Sequence, residues 1–277
     1  MALNEMQLRA IPRGRDRISG TVIAPQGDAV GRSSRRRGVR ELLILFTLYM
    51  AYSATRSLAN PDLDAARRRA AELFDAEAVL GLAFESGLNQ WASDIGWLGA
   101  GMSFWYAALH YIVTPITLYW LYARHPDRYA RARTAVVIAS VLALIGYVLV
   151  PTAPPRLMPT GFVDTLARYA DVGWWSEHAS APEGFGHLTN ELAAMPSLHV
   201  GWAVWVAWAL YPLLNRAGRW IVITYAAGTT IVVVATGNHW VLDALAGAAV
   251  VWLGIAITRL HTTHTTTDRA LNQSQDH

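Results

Sequence analysis

The sequence contains no cysteine and no lysine, and it is poor in charged residues. Of its 277 residues, 16% are charged and 53% are hydrophobic. A soluble globular chain has about 25% charged and about 45–50% apolar residues. The absence of cysteine excludes disulfides, thiolate metal sites and a cysteine nucleophile. All 23 basic residues are arginines, and the formal net charge is +3. The composition predicts an integral membrane protein.

Long hydrophobic runs are abundant. A transmembrane helix needs about 20 apolar residues, with a range of roughly 17–25. Six segments meet this requirement: 42–58, 97–121, 134–150, 198–214, 220–236 and 240–260. We therefore predict an all-α, polytopic membrane domain over residues 41–260 with six transmembrane helices. Residues 1–40 are predicted to be a disordered basic tail, and 261–277 a disordered polar tail.

The distribution of arginine predicts the orientation in the membrane. If the N-terminus is cytoplasmic and the spans alternate, 17 of the 23 arginines lie on the cytoplasmic side. The positive-inside rule favours this topology, with both termini in the cytoplasm of a cell-membrane protein. Attraction to anionic lipid accounts for the basic tail, so no nucleic-acid partner is expected.

Two stretches are predicted to lie outside the bilayer on the external face. Residues 62–95 carry apolar side chains at helical spacing, which is typical of an amphipathic helix on the membrane surface, with Gly81 as a break. Its apolar positions are Leu73, Leu80, Phe84, Leu88, Trp91 and Ile95. Residues 151–196 form a long loop, and loops of this length are usually functional or disordered.

Three polar side chains are predicted to reach the same level at the external face. His199 begins the fourth span, and His239 follows the fifth. The forty residues between them make one passage down and one back at the rise of an α-helix. Arg156 lies just beyond the outer end of the third span. The sequence therefore predicts one external polar site.

The residues around both histidines are suited to phosphoryl transfer. Ser197 and Asn238 are favourable N-caps for the fourth and sixth spans, and a helix start with unpaired N–H groups is an anion site. His239 and Asp243 are four residues apart and share a helix face, so the carboxylate can hold the ring N–H. Positioning and charge stabilisation provide most of the catalysis of phosphoryl transfer.

These residues resemble the type-2 phosphatidic acid phosphatase superfamily of membrane lipid phosphatases. Its signature is K-x6-R-P, then P-S-G-H, then S-R-x5-H-x3-D. This chain has Arg156, then "PSLH" at 196–199, then His239 and Asp243. The segments "AAMPSLHVGWA" and "GNHWVLDALAG" most resemble the inositol phosphorylceramide synthase branch, whose members transfer a phospho-headgroup between lipids.

The resemblance implies a role for each matching residue. His239 would be the nucleophile that forms a phosphohistidine, and Asp243 would orient it. His199 would be the general acid that protonates the leaving oxygen. Arg156, with backbone groups near Ser197, would hold the phosphate. The chemistry requires no metal or other cofactor.

Two cationic phosphate ligands of that signature are missing. The signature lysine falls at Leu149, the Ser-Arg pair falls at Val232 and Val233, and Leu157 replaces the proline. Arg56, near the outer end of the first span, either substitutes for them or extends to the interface.

Three further residues are candidates for substrate binding. His110 lies in the middle of the second span, where an ionisable group is a functional candidate, although a helix–helix hydrogen bond accounts for it equally well. Asn190 and Glu191 in the external loop could face a polar headgroup or only solvent.

The predicted function is a membrane phosphotransferase or phosphatase that takes a lipid phosphate as substrate, with a polyol or lipid as acceptor. Transfer is favoured because apolar residues replace the signature Lys and Arg, and a phosphodiester needs fewer cations than a monoester. The alternatives are a plain phosphatidate or prenyl phosphatase and a hydrolase with zinc on His199, His239 and Asp243. A transporter or scaffold that binds an anion also remains open, as does the identity of the substrate.

Overall fold

A computed structural model describes residues 38–44, 46–48, 50–52, 54, 62–159, 161–176, 179–182 and 190–275. Residues 1–37 of the basic tail, part of the first predicted span and Arg56 lie outside the described residues. Residues 38–44 are helical and belong to a first compact unit that ends at Leu45. All other elements below belong to the second unit, which begins at Phe46.

The second unit is built almost entirely of helices. In its described part, in chain order, they are α1 (Leu63–Val79), α2 (Glu85–Asp94), α3 (Gly96–Phe104), α4 (His110–Arg124), α5 (Pro126–Leu149), α6 (Thr165–Arg168), α7 (Leu198–Leu210), α8 (Arg216–Ala235) and α9 (Val241–Gln275). A π-helical turn, Trp105–Leu109, joins α3 to α4. Short 3₁₀ turns occur at Pro155–Leu157, Ala170–Val172 and Tyr211–Leu213. The helical fold class is confirmed.

The loop 151–196, which we call the external loop after its predicted location, has more regular structure than predicted. Besides α6 and two 3₁₀ turns, it contains an antiparallel ladder of β1 (Trp175–Ser176) and β2 (Ala179–Pro182). A single parallel bridge also pairs Thr152 with Ala193. The two ends of the loop are therefore tied together beside the helices.

Three helices in the described part of the chain are long and apolar enough to cross a membrane: α5, α8 and the Val241–Leu260 portion of α9. A shorter apolar segment, Leu198–Leu213, covers the fourth predicted span. The second predicted span consists of α3, the π turn and α4. These helices fit a membrane protein, and six spans remain a prediction.

The core lies where α5, α7 and α9 meet. Trp205 of α7 is fully buried and donates a 2.8 Å hydrogen bond from its indole N–H to Ala132 O of α5. A Cβ atom on Gly254 would lie only 2.6 Å from Ala135 O. The glycine therefore lets α9 approach the α5 backbone closely.

The predicted break at Gly81 is confirmed. α1 ends at Val79, Gly81 has a φ of +73°, and α2 begins at Glu85. The small or polar side of these helices is buried, whereas Leu80 is 62% and Trp91 is 57% exposed. An apolar face turned away from the protein is what a membrane-surface helix requires, and this location remains a prediction.

The C-terminal helix is longer than expected. α9 continues to Gln275, so the backbone of 261–275 is helical where the sequence predicts a disordered tail. Helices commonly end at glycine or before proline. Neither residue occurs between 255 and 277, so the tail contains no local signal that would end the helix.

Candidate active site

His239 lies two residues before the start of α9, and Asp243 lies in the first turn of that helix. His239 is 4% exposed and Asp243 is completely buried. The ring Nδ1 is 2.9 Å from the main-chain oxygen of Ala194 and 3.7 Å from Asp243 Oδ2. The second distance is too long for a hydrogen bond. The prediction that Asp243 holds the ring N–H is wrong in this respect, because the Ala194 carbonyl takes that position.

This contact decides the tautomer of His239. A carbonyl oxygen only accepts hydrogen bonds, so Nδ1 must carry the hydrogen. Nε2 of the neutral ring then keeps its lone pair. Nε2 is buried and has no hydrogen-bond partner among the described residues. An imidazole nitrogen of this kind is suited to nucleophilic attack.

The carbonyl of Ala194 is held by the paired ends of the external loop. Thr152 donates its N–H to Leu192 O at 2.9 Å, and Ala194 donates its N–H to Thr152 O at 3.4 Å. Sequence reasoning missed Ala194, because any residue can supply a main-chain oxygen. The paired ends of the loop therefore position the carbonyl that contacts His239.

Ser197 connects the starts of α7 and α9. Its hydroxyl accepts from the N–H of Val200 at 3.4 Å, which confirms the predicted N-cap of α7. Its own N–H donates to Asp243 O at 2.9 Å. A Cβ atom on Gly247 would clash with Ser197 O. The small residue at 247 thus allows the two helix starts to touch.

His199, in the first turn of α7, faces His239 as predicted. Their ring centroids are 5.5 Å apart. The His199 ring stacks on Tyr106 at 4.2 Å and meets the edge of His110 at 4.1 Å. His110 therefore belongs to the site, and Tyr106 is a neighbour that sequence reasoning did not assign.

Arg156 is joined to the residue before His239. Its Nε donates to Asn238 Oδ1 at 3.1 Å. Its Nη1 lies 3.1 Å from Asp164 Oδ2, and its Nη2 lies 3.9 Å from Glu191 Oε1. The predicted residues Arg156, Asn238 and Glu191 are thus close together.

A turn that only glycine adopts readily supports this arrangement. Gly237 has a φ of +70°, and its carbonyl accepts from the N–H of Arg156 at 2.8 Å. Asn190, the remaining loop candidate, uses its Oδ1 to accept from the N–H of Leu192 at 3.2 Å. Its position is next to Glu191, and its role toward substrate stays a prediction.

Asn238 does not cap α9, so that prediction is wrong. Its side-chain nitrogen donates to Thr236 O at 3.2 Å and Thr236 Oγ1 at 3.0 Å, while its oxygen accepts from Arg156. The side chain consequently turns toward the preceding turn and the arginine. A role for Asn238 in phosphate binding remains a prediction.

The N-terminus of α9 is occupied by carboxylates. Trp240 donates its N–H to Asp243 Oδ2 at 2.9 Å, and Val241 donates its N–H to Glu85. Leu242 donates its N–H to Glu77 at 2.7 Å. The expectation that this helix start offers free N–H groups to a phosphate is therefore wrong.

Glu77 and Glu85 are completely buried neighbours of the site that the sequence did not reveal. On an amphipathic helix they were indistinguishable from glutamates on the polar face. Burial raises the pKa of Glu85 to about 9, and burial together with the negative charge of Asp243 raises the pKa of Glu77. At least one of the two carboxyls is consequently protonated at neutral pH.

Asn89 links three segments of the chain that lie around the site. Its Oδ1 accepts from Val163 N–H at 2.7 Å, and its Nδ2 donates to Ala235 O at 2.9 Å. It therefore joins α2 to the external loop and to the end of α8.

The described structure has no cationic side chain at the two positions where the signature has Lys and Arg. Val233 is fully buried in the core, and Leu149 is 71% exposed. Among the residues described, Arg156 is the only arginine that makes a hydrogen bond with a candidate site side chain. Arg56 cannot be compared, because it is outside the described residues.

The arrangement does not resemble a metal centre. Within the part of the chain that the structure describes, no group of three or more His, Cys, Asp or Glu side chains is arranged to hold a metal ion. The geometry thus gives no support to the zinc alternative.

The family assignment follows from a comparison with protein-family models. The model of the PAP2 superfamily matches residues 71–257. The chain belongs to the PAP2 superfamily. The matched region includes Glu77, Arg156, His199, His239 and Asp243. Neither a curated protein nor a solved structure matched the chain. Membership supports a phosphatase-type function in a membrane protein.

Proposed function

We propose that this PAP2 protein is a membrane phosphotransferase that moves a phospho-group from a lipid to a hydroxyl acceptor through a phosphohistidine at His239. The observation that carries the proposal is the bond from Nδ1 of His239 to Ala194 O. It leaves Nε2 free as a nucleophile, with the second imidazole, His199, 5.5 Å away between ring centroids.

The first half-reaction forms the covalent intermediate. Nε2 of His239 attacks phosphorus, and the N–P bond forms as the P–O bond to the leaving lipid oxygen breaks. Protonated His199 gives its proton to that oxygen. The imidazole of His239 gains positive charge when phosphorylated, and the carboxylate of Asp243, 3.7 Å from Nδ1, opposes that charge.

The second half-reaction transfers the phospho-group. His199, now neutral, takes the proton of the acceptor hydroxyl. The acceptor oxygen forms a new P–O bond while the N–P bond to His239 breaks, which regenerates both imidazoles. A polyol or lipid alcohol gives transfer, and water gives hydrolysis.

The charge around Arg156 favours a diester or diphosphate-linked donor. A phosphate monoester carries about −1.5 to −2 charges at neutral pH, whereas a phosphodiester carries one. The guanidinium of Arg156 already faces Asp164 and Glu191. This leaves less positive charge for a dianion. The resemblance to inositol phosphorylceramide synthases agrees with such a donor.

The test measures how the phosphoenzyme partitions between water and a hydroxyl acceptor. Purified protein is mixed with phosphate-labelled lipid diesters, quenched in alkaline denaturant, and assayed for labelled histidine. The enzyme is then supplied with inositol, other polyols or lipid alcohols. We expect labelled product with at least one acceptor, no label in His239→Ala, and normal label in His125→Ala, a histidine between α4 and α5.

Each other outcome identifies a competing function. If water alone resolves the phosphoenzyme across the panel, the protein is a plain lipid phosphatase. If no lipid phosphate or diester is turned over, an anion-binding transporter or scaffold replaces the enzyme.

We further propose that six spans place this site on the external face, in accordance with the excess of arginine on the opposite side. The absence of cysteine makes single-cysteine labelling free of background. Asp171, exposed in the external loop, and Asp127, exposed at the start of α5, form a matched pair. An impermeant maleimide should label Asp171→Cys in intact cells and Asp127→Cys only after permeabilisation. The reverse pattern contradicts the orientation.

A further inference from the structure

Two buried carboxyls lie at the start of the helix that carries Asp243. Glu77 comes from α1 and Glu85 from α2, and both have no exposed surface. They accept from the N–H groups of Leu242 and Val241, which are consecutive in the chain. Because these two N–H groups are adjacent, the two carboxyl groups lie side by side, and each affects the ionisation of the other.

Two buried carboxyl groups at this separation can bond to each other only if one of them carries a proton. Ionised carboxylates only accept hydrogen bonds. The Oε2 atoms of Glu77 and Glu85 are buried, and neither meets a hydrogen-bond donor among the described residues. In the described part of the chain no arginine or histidine forms an ion pair with either side chain. The titratable group that acts on both is Asp243, whose charge opposes further ionisation.

We infer that Glu77 and Glu85 share one proton and act together as positioning residues for His239. They do so because they bind the first turn of α9, which follows His239 closely in the chain, to α1 and α2. This role rests on the proposed function of His239. The raised pKa of Glu85, about 9, agrees with a proton that is retained at neutral pH.

The shared proton limits the negative charge beside the phosphate site. With the proton, the pair and Asp243 carry two negative charges, and without it they carry three. Three adjacent carboxylates would repel one another and an anionic substrate. Loss of the proton should therefore loosen the start of α9 and raise KM.

The pair also makes stability depend on pH, with a definite sign. Below about pH 4.5, which is the ordinary pKa of a glutamate, Glu85 is protonated in both the folded and the unfolded chain. Between about pH 4.5 and about pH 9, Glu85 releases its proton in the unfolded chain and keeps it in the folded chain. The contribution of this group to the free energy of unfolding therefore falls as pH rises through that window, and it is constant above it.

The experiment compares Glu85→Gln and Glu77→Gln with Glu72→Gln, an exposed glutamate of α1. Glutamine keeps an acceptor for the helix N–H and a donor for the remaining carboxylate, but it cannot ionise. We expect both buried variants to keep kcat within about threefold. We also expect them to reduce the fall in unfolding midpoint from pH 5 to pH 9 and to prevent the rise of KM near pH 9. Glu72→Gln should behave as wild type.

Replacement by alanine tests positioning. Glu77→Ala and Glu85→Ala should lower kcat by about 10- to 100-fold, the scale expected for a misplaced catalytic group. Activity should recover in the glutamine variants. If glutamine and alanine variants lose activity equally, or if the pH profiles of the glutamine variants match wild type, the inference is overturned.

An infrared measurement tests the shared proton without activity. Wild-type protein in detergent should show a buried protonated-carboxyl band at pH 7 that disappears above about pH 9 and is absent from Glu85→Gln. A band that is unchanged in Glu85→Gln contradicts the pair even if the enzyme is fully active. If wild type has no turnover but the band behaves as expected, the proposed function fails and the pair stands.

Discussion

The two candidate catalytic histidines are held by different kinds of neighbour. His239 is set by main-chain and carboxyl groups, namely Ala194 O, Asp243 and, through the start of α9, Glu77 and Glu85. We call these four residues the polar support. His199 is packed between the rings of Tyr106 and His110, which we call the ring stack.

The difference matches the different demands on the two residues. A nucleophile must present the same nitrogen in every cycle, and a carbonyl on the opposite nitrogen enforces one tautomer. A general acid must lose and regain a proton. Ring faces restrain its plane by stacking without requiring one protonation state. The comparison implies that His239 is sensitive to hydrogen-bond geometry and His199 to packing.

The largest effect is expected at the centre of the polar support. His239→Ala should abolish turnover and phosphoenzyme formation with every substrate, because it removes the proposed nucleophile. Turnover and labelling are measured together with the unfolding midpoint. His125→Ala serves as the histidine control. Measurable phosphoenzyme in His239→Ala would remove its role as nucleophile.

The second-largest effect is expected at His199, which the ring stack holds, and its size should depend on the leaving group of the substrate. His199→Ala should lower kcat/KM by about 10²–10⁴-fold for a lipid alcohol leaving group, the usual scale of general acid catalysis. The loss should be much smaller for an activated phenol, which leaves without protonation. Rates are compared for a matched pair of phosphodiesters. Equal losses for both would contradict the acid assignment and weaken the comparison.

The third effect tests the contact between the two regions. Gly247→Ala places a methyl group against Ser197 O and should push α7 away from α9. Displacement of this kind can cost about 10²-fold in rate, and both leaving groups should be affected alike. Gly101→Ala is the control, since a Cβ there meets nothing within 4 Å. Equal activity of the two alanine variants would show that the helix contact does not align the site.

The smallest effect is expected from the ring stack itself. Tyr106→Leu removes the ring that lies 4.2 Å from His199, and aromatic pairs contribute about 0.5–1.5 kcal/mol. We expect a loss of roughly two- to tenfold in kcat/KM, confined to substrates that need the acid. Tyr106→Phe keeps the ring and should be close to wild type. A larger loss in Tyr106→Phe would assign the function to the hydroxyl instead.

Much of the architecture was predictable because local patterns determine it. Apolar runs of sufficient length predicted α5, α8 and α9, and Ser197 after a proline predicted the start of α7. Gly81 predicted the break between α1 and α2. The one-passage spacing of His199 and His239 predicted that they meet, since helices of similar length return the chain to the same level.

By itself, then, the sequence determined which segments are apolar helices and which histidines face each other. Only the tertiary structure decided the partner of His239 Nδ1, the burial of Glu77 and Glu85, and the contact of His110 with His199. A main-chain carbonyl carries no side-chain signature, and a glutamate looks the same whether its helix turns it toward solvent or toward another helix. These contacts depend on how α1, α2 and the external loop are rotated and docked, which is a property of long-range packing and not of local pattern.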